Sequence, residues 1–299
     1  MMKTFFALTS RNIKLFFKDK GLFFTSLATP MILLVLYATF LRNVYRDAFI
    51  SIIPESLGVA EKVIDALVGG QLVSSLLAVS CVTVAFCSNF LSVQDRVQGV
   101  RGDFNVSPIK SSVLSISYYI SSLASTLIIC LITAVIGLLY LSFVGWYLSA
   151  SDVALLLLDV FLLAMFGTAL SSIINLFLSS QGQISAVGSI ISSVYGFICG
   201  AYMPMSQFGD FLQKALTFLP GTYGTALTRT HAMRGAFAEL ERCGIPHAMI
   251  EEMMNDMDCR IYFFDDLVSE GAMFAILCGT IVALCGIYIL LSKIRAKKS

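Results

Sequence analysis

Few side chains in this sequence are of types that do chemistry, and most of them stand apart. Asp159 is an acid inside the apolar run from Val153 to Phe177. It lies six residues past Val153, about 9 Å along a helix. An acid within a membrane segment is a functional candidate by default; near the interface it can equally snorkel to water or hydrogen-bond a serine across the bundle. Asn175, Gln71 and Asn89 are the other polar residues in or near apolar runs. One acid makes a poor proton relay. His231 and His247 belong to no His-Glu-x-x-His pair, so zinc proteolysis has no support. Glu251-Glu252 falls outside the apolar runs and reads as a solvated face. No segment fits Gly-x-x-x-x-Gly-Lys-Ser/Thr, so the chain has no nucleotide loop of its own. Of the cysteines, Cys81, Cys87, Cys130, Cys199, Cys278 and Cys285 sit within apolar runs and read as small buried residues. Their spacings match no zinc pattern. Cys243 and Cys259 lie outside those runs and could pair if their face is extracellular. These residues predict no catalytic centre and no cofactor or metal held by this chain.

The composition says what must position them. Hydrophobic residues make up 57% of the 299 and charged residues 13%, against about 25% charged in a soluble domain. The mean hydropathy is +0.84 and the formal net charge +1. A soluble single domain, disorder and a basic nucleic-acid-binding surface are excluded. The expected class is an all-α membrane protein, a single transmembrane domain over residues 1–299.

Spanning about 30 Å of hydrocarbon takes about 20 helical residues. Runs nearly free of charge place six spans at about 22–41, 66–93, 111–147, 153–178, 184–204 and 271–292. Pro30 should kink the first. The charge-free run Ser111–Ser151 reads either as one long helix or as two tight ones. Charge decides: Lys3, Arg11, Lys14, Lys18 and Lys20 at one end of the chain, and Lys293, Arg295, Lys297 and Lys298 at the other, put both termini in the cytoplasm by the positive-inside rule. That needs an even number of spans, so the third ends near Trp146 and Tyr147, and Ser151 or Asp152 caps the fourth. The first run is not followed by a cleavage site and reads as a retained span.

Three elements join the spans. Residues 1–21 form an amphipathic interfacial helix, with Phe5, Phe6, Leu8, Ile13, Leu15, Phe16 and Phe17 on one side and Lys3, Arg11, Lys14 and Lys18 on the other. It reads as a topology anchor or as an elbow bordering a cytoplasmic partner. Residues 95–110 are the one sizeable inner loop, where Gly99 and Gly102 allow a bend and Ser107-Pro108 can start the next helix. It reads as a connector or as the grip of a cytoplasmic motor. Residues 205–270 begin with a short amphipathic helix (Phe208, Phe211, Leu212, Ala215, Leu216) broken by Leu219-Pro220-Gly221. That helix reads as surface packing or as a re-entrant plug. An acidic, methionine-rich outer loop follows, broken near Gly244-Ile245-Pro246.

The order of these parts, the inner loop QDRVQGVRGDFNVSPIK and the segment GAYMPMSQFGDFLQKALTFLPGTYGTALTR resemble the membrane (permease) subunit of a type 2 ABC exporter. The resemblance covers nearly the whole chain in architecture. The family's acidic pair around the inner-loop arginine is only half kept, since Val97 follows Asp95-Arg96. It implies two permease copies, identical or not, in the lipid bilayer of the cell membrane, with two separate ABC ATPase subunits carrying ATP and Mg. It implies an ATPase-coupling loop with Asp95, Arg96, Gly99, Arg101, Asp103 and Pro108, and an elbow helix with Arg11, Lys14, Phe16, Phe17 and Lys18. It also implies an outer gate at Pro204, Phe208, Phe211, Leu219 and Pro220. The competing expectation is a secondary transporter or channel not driven by ATP.

Overall fold

The computed structural model describes residues 2–53, 59–100, 109–264 and 266–296. Arg101, Asp103 and Pro108 of the inner loop lie outside the described residues. The protein is an all-α bundle, with helices α1 (Met2–Lys18), α2 (Lys20–Leu36), α3 (Arg42–Ile52), α4 (Glu61–Val97), α5 (Ser111–Val144), α6 (Ala150–Phe177), α7 (Gln181–Ile198), α8 (Asp210–Leu216), α9 (Pro220–Arg242), α10 (His247–Asp256) and α11 (Glu270–Ala296). A two-residue hairpin, β1 (Tyr262–Phe263) with β2 (Asp266–Leu267), precedes α11.

Five helical stretches among the described residues are long and apolar enough to cross a membrane: Lys20–Ile52, Glu61–Val97, Ser112–Val144, Ala150–Phe177 and Glu270–Ile294. The chain is a multi-pass membrane protein. The expected fifth span is shorter than its apolar run. Helix α7 has 18 residues, about 27 Å of rise, and stops at Ile198, where Gly200 turns the backbone at φ +68° before Pro204 is reached. The first span is longer than its apolar run. Tyr37–Leu41 is a π-helical turn that passes directly into α3. The charges of α3 do not end the helix because Arg46 pairs with Glu61 and Asp65, at 3.3 Å each. Pro30 sits inside α2, and the change of helical pitch comes at the π turn beyond it.

Helix α4 is the hub, packing on α2, α5, α6, α7 and α9. Small residues let its neighbours close in. A Cβ added at Gly167 of α6 would stand 2.9 Å from the Cys81 carbonyl oxygen on α4, and one at Gly70 of α4 would stand 2.9 Å from the Ala232 carbonyl oxygen on α9. The amide of Asn89 donates to Ser171 Oγ at 3.0 Å and Ser172 Oγ at 2.6 Å, so this polar residue of an apolar run serves as a bundle contact. Helix α6 is capped two to three residues earlier than expected: Ser149, not Ser151 or Asp152, is the N-cap and closes a reciprocal capping box with Asp152.

The largest departure is α9. The sequence assigns Thr222 onward to an outer loop, yet α9 is buried in the bundle against α4, α6 and α11. Gly221 at its start lies beside Phe166 and Tyr195, deep along α6 and α7; Gly235 near its end lies beside the backbone of Tyr147. The break at residues 244–246 does occur, with Gly244 at φ +87° and Pro246 as the N-cap of α10.

Candidate coupling site

Four chain segments meet at the end of the bundle that holds α1. Asp19 ends α1 and caps α2, its carboxylate accepting from Leu22 N at 3.0 Å. Phe16 is buried in the main core, and Leu8 packs with Leu114 and Tyr118 of α5. This fixes the rotation of α1, and the result differs from the simple phenylalanine-down, lysine-up arrangement. Phe6 is exposed and Asn12 is buried, while Lys14 and Lys18 do face solvent. Arg11 does not point away from the bundle. Its guanidinium reaches the last turn of α4 and grips Asp95 with both terminal nitrogens, at 2.7 and 3.2 Å.

Asp95 is buried, 4% exposed, which a lone carboxylate would not tolerate. Here it accepts the forked pair from Arg11 and the Tyr118 hydroxyl of α5 at 2.5 Å. The paired carboxylate also holds the Arg11 guanidinium above its ordinary value, so Arg11 carries its charge throughout the working pH range. The neighbouring Arg96 points the other way. Its Nη1 donates to the carbonyl oxygens of Asn175, Leu176 and Leu178, at 3.3, 3.2 and 2.7 Å. Those are the final carbonyls of α6, which have no helical partner and carry the negative end of the helix dipole. Two consecutive residues of α4 thus tie three other helices, α1 and α5 through Asp95 and α6 through Arg96.

Of the other expected site residues, Gly99 stands just past α4 at φ +81°, a left-handed turn with open space around it. Asn175 is buried on α6, and its side-chain amide has no hydrogen-bond partner among the described residues. The gate candidates do not form one buried stripe. Pro204 is buried, Phe208 and Pro220 are half-buried, and Phe211 and Leu219 are exposed; within α8 only Leu216 is buried. Cys243 and Cys259 are both free thiols, so the expected pairing is not present. Cys243 is exposed at the C-cap of α9, whereas Cys259 is buried with its backbone oxygen held by Thr230 Oγ1.

Two residues that sequence reading left in a loop are fully buried. His231 of α9 meets Asp159 of α6 at 2.5 Å, Nδ1 to Oδ2, with neither side chain exposed. Its ring stacks on Phe274 of α11, and Nε2 faces Glu270 at 3.8 Å. Asp159 is therefore a paired group within the bundle and does not snorkel. Arg229 of α9 donates to Asp258 at 3.1 Å and to the carbonyls of Met257 and Gly200, at 2.9 and 2.8 Å. Asp258 also accepts from Met205 N at 2.7 Å. These bonds hold the end of α7, the turn at Met205 and the segment after α10 against α9. A signal for α9 existed in its small-residue spacing (Gly221, Gly224, Ala232, Gly235, Ala236), which suits close helix contact.

The sequence model of the ABC-2 type transporter family matches residues 3–231. The chain belongs to the ABC-2 type transporter family. The match runs from the start of α1 to the middle of α9 and so takes in the whole junction of Arg11, Asp95 and Arg96. No curated protein matches the chain. Family membership makes the matched region a membrane domain of the permease type, not an ATPase domain.

Proposed function

We propose that this ABC-2 permease works as a dimer with two separate ATPase subunits to export a substrate across the cytoplasmic membrane. Its six crossings are α2 with α3, α4, α5, α6, α7 and α11, and both termini face the cytoplasm. The ATPases dock at the α1 end, on α1 and the loop after α4. The observation that carries this reading is the bidentate Arg11–Asp95 pair, with Arg96 seated on the end of α6.

The physical reason is stiffness. A forked guanidinium–carboxylate contact whose carboxylate is buried fixes orientation as well as distance. A push on α1 then moves the end of α4, and α6 moves with it through Arg96. Helix α4 is also packed against α9, so displacement at the α1 end reaches the α8–α9 segment at the opposite end. There α8 and the start of α9 act as the re-entrant gate, with Pro204, Phe208, Phe211, Leu219 and Pro220 at its hinge points. The latch is the Arg229–Asp258 pair that ties this segment down.

The test is a reconstituted permease–ATPase complex carrying Asp95→Arg with Arg96→Asp. ATP hydrolysis should persist while transport falls at least tenfold, with membrane insertion unchanged. Unchanged coupling would remove the end of α4 from this role. A second reading, proton-driven antiport, draws on the buried Asp159–His231 pair. Transport driven by an imposed pH gradient, with no ATPase present, would favour it.

A further inference from the structure

At the end of the bundle opposite the Arg11–Asp95 junction, α8, the end of α10 and the β1–β2 hairpin line a half-open cavity of about 330 Å³. Beside it stands a cluster of phenylalanines shared by the two elements. The Phe218 ring lies 5.2 Å from Phe263 and 6.1 Å from Phe264, and Phe263 lies 5.1 Å from Phe264, all edge to face. Phe218 is 61% exposed and Phe264 53%. Phe264 has a left-handed backbone, φ +57°, a costly conformation for a bulky residue, and such strain collects at binding and switch sites. Exposed phenylalanine rings clustered at the end of a membrane bundle offer an apolar patch to a lipid or another apolar partner.

The cavity itself is charged in both senses. Asp210 and Lys214 of α8 and Asp256 of α10 all line it, and none of the three has an ion-pair partner among the described residues. The other charged groups in its wall are occupied: Asp258 holds Arg229 at 3.1 Å, and Arg260 holds Glu251 at 2.6 Å. Burial and the nearby Glu252 push the Asp256 carboxyl up, so a cation placed beside it would relieve that cost. One free ammonium and two free carboxylates around a cavity under an aromatic fence match a ligand with an anionic and a cationic end and an apolar tail.

We propose that this cavity binds the headgroup of a zwitterionic phospholipid, phosphatidylethanolamine, with the phosphodiester at Lys214 and the primary ammonium between Asp210 and Asp256. The phenylalanine cluster carries the adjoining acyl chains. A primary ammonium offers three hydrogen-bond donors to the carboxylates; a choline headgroup offers none, and an anionic glycerol headgroup is repelled by the two acids.

Native mass spectrometry on the detergent-purified, delipidated chain tests this with three added lipids: phosphatidylethanolamine, phosphatidylcholine and phosphatidylglycerol. The wild type should retain phosphatidylethanolamine about tenfold more tightly than either other lipid, equivalent to about 1.4 kcal/mol. Lys214→Ala with Asp256→Asn should abolish the preference while leaving total lipid binding in place, and Phe218→Ser with Phe264→Ser should lower retention of all three. Both changes lie on exposed or half-exposed positions, and a single cooperative melting transition confirms that the variants fold. Equal retention of the three lipids by the wild type, a preference for either competitor, or a preference that survives Lys214→Ala with Asp256→Asn overturns the proposal.

Discussion

Asp95 has two side-chain partners, and each stabilises it differently. Arg11 supplies opposite charge, and Tyr118 supplies a short hydrogen bond from the α5 side. Replacing Arg11 with alanine leaves a buried carboxylate with Tyr118 alone. A hydrogen bond to a charged group contributes about 2 kcal/mol, so Arg11→Ala should lower thermal stability modestly and transport strongly. The double exchange Arg11→Asp with Asp95→Arg should recover part of both in a double-mutant comparison; no recovery would mean the two residues act independently. Titration offers a second check at one residue. The raised Asp256 carboxyl means that the folded state holds this proton more tightly than the unfolded chain. Its contribution to stability is present below the unfolded value of about 4 and is lost as pH rises through the raised folded value. Asp256→Asn should therefore raise the melting temperature at pH 7, with the gain shrinking to nothing at pH 3; an equal gain at both values would assign the effect to something other than ionisation. Thiol chemistry separates the two loop cysteines. Burial pushes the Cys259 thiol up to about 12, which removes its reactive thiolate. Cys243 should react with a maleimide in the folded protein and Cys259 only after unfolding. Labelling of Cys243 by a membrane-impermeant reagent from outside intact cells would further place the α9 end on the outer face.

Helix α9 is the element whose place the sequence conceals. Hydropathy locates helices that lie in lipid, and α9 touches other helices instead. Its glycines, threonines, Arg229 and His231 lower its apolarity, while its neighbours supply the burial. The threonines satisfy their hydroxyls within the helix, Thr225 on the Gly221 carbonyl at 3.0 Å and Thr228 on the Gly224 carbonyl at 2.8 Å. By contrast, α4, α5, α6 and α11 were legible because charge-free runs of that length have few other uses. Their ends were less so: Arg42 and Arg46 stop the apolar run but not the helix, because acids on α4 neutralise them. At the junction, the sequence pointed to Arg11, Asp95 and Arg96 as separate members of two inner elements. It held no sign that Arg11 and Asp95 touch, or that Tyr118 joins them, because those contacts depend on how α1 rotates against α5. The closeness of α9 is testable at one glycine. A Cβ at Gly235 would stand 1.9 Å from the Tyr147 carbonyl oxygen, a backbone atom that cannot turn aside. Gly235→Ala should cost about 1–3 kcal/mol or more through overpacking, read as a fall in melting temperature, whereas Gly271→Ala, where the space is open, should leave stability within about 0.5 kcal/mol. Equal effects at the two positions would contradict the burial of α9.

The whole molecule is polarised along its axis. Helix α1, the ends of α4 and α6 and the last turns of α11 gather at one end, where Tyr288 donates to the Ser115 carbonyl at 3.2 Å. The hairpin, α8 and α10 gather at the other. Between them α4 runs almost entirely buried, with only the first and last turns partly open. A bundle with one stiff, charge-locked end and one end built of short elements suits a device driven from the first and opened at the second. What drives it is decided by what stays bound to it. The chain, affinity-purified from its native membrane in mild detergent, is quantified by mass spectrometry together with whatever remains bound. The expected result is a separate ATPase subunit bearing a phosphate-binding loop, present in one-to-one ratio with the permease and lost on Arg11→Glu. Purified chain that carries no ATPase yet still transports its substrate after reconstitution would contradict it.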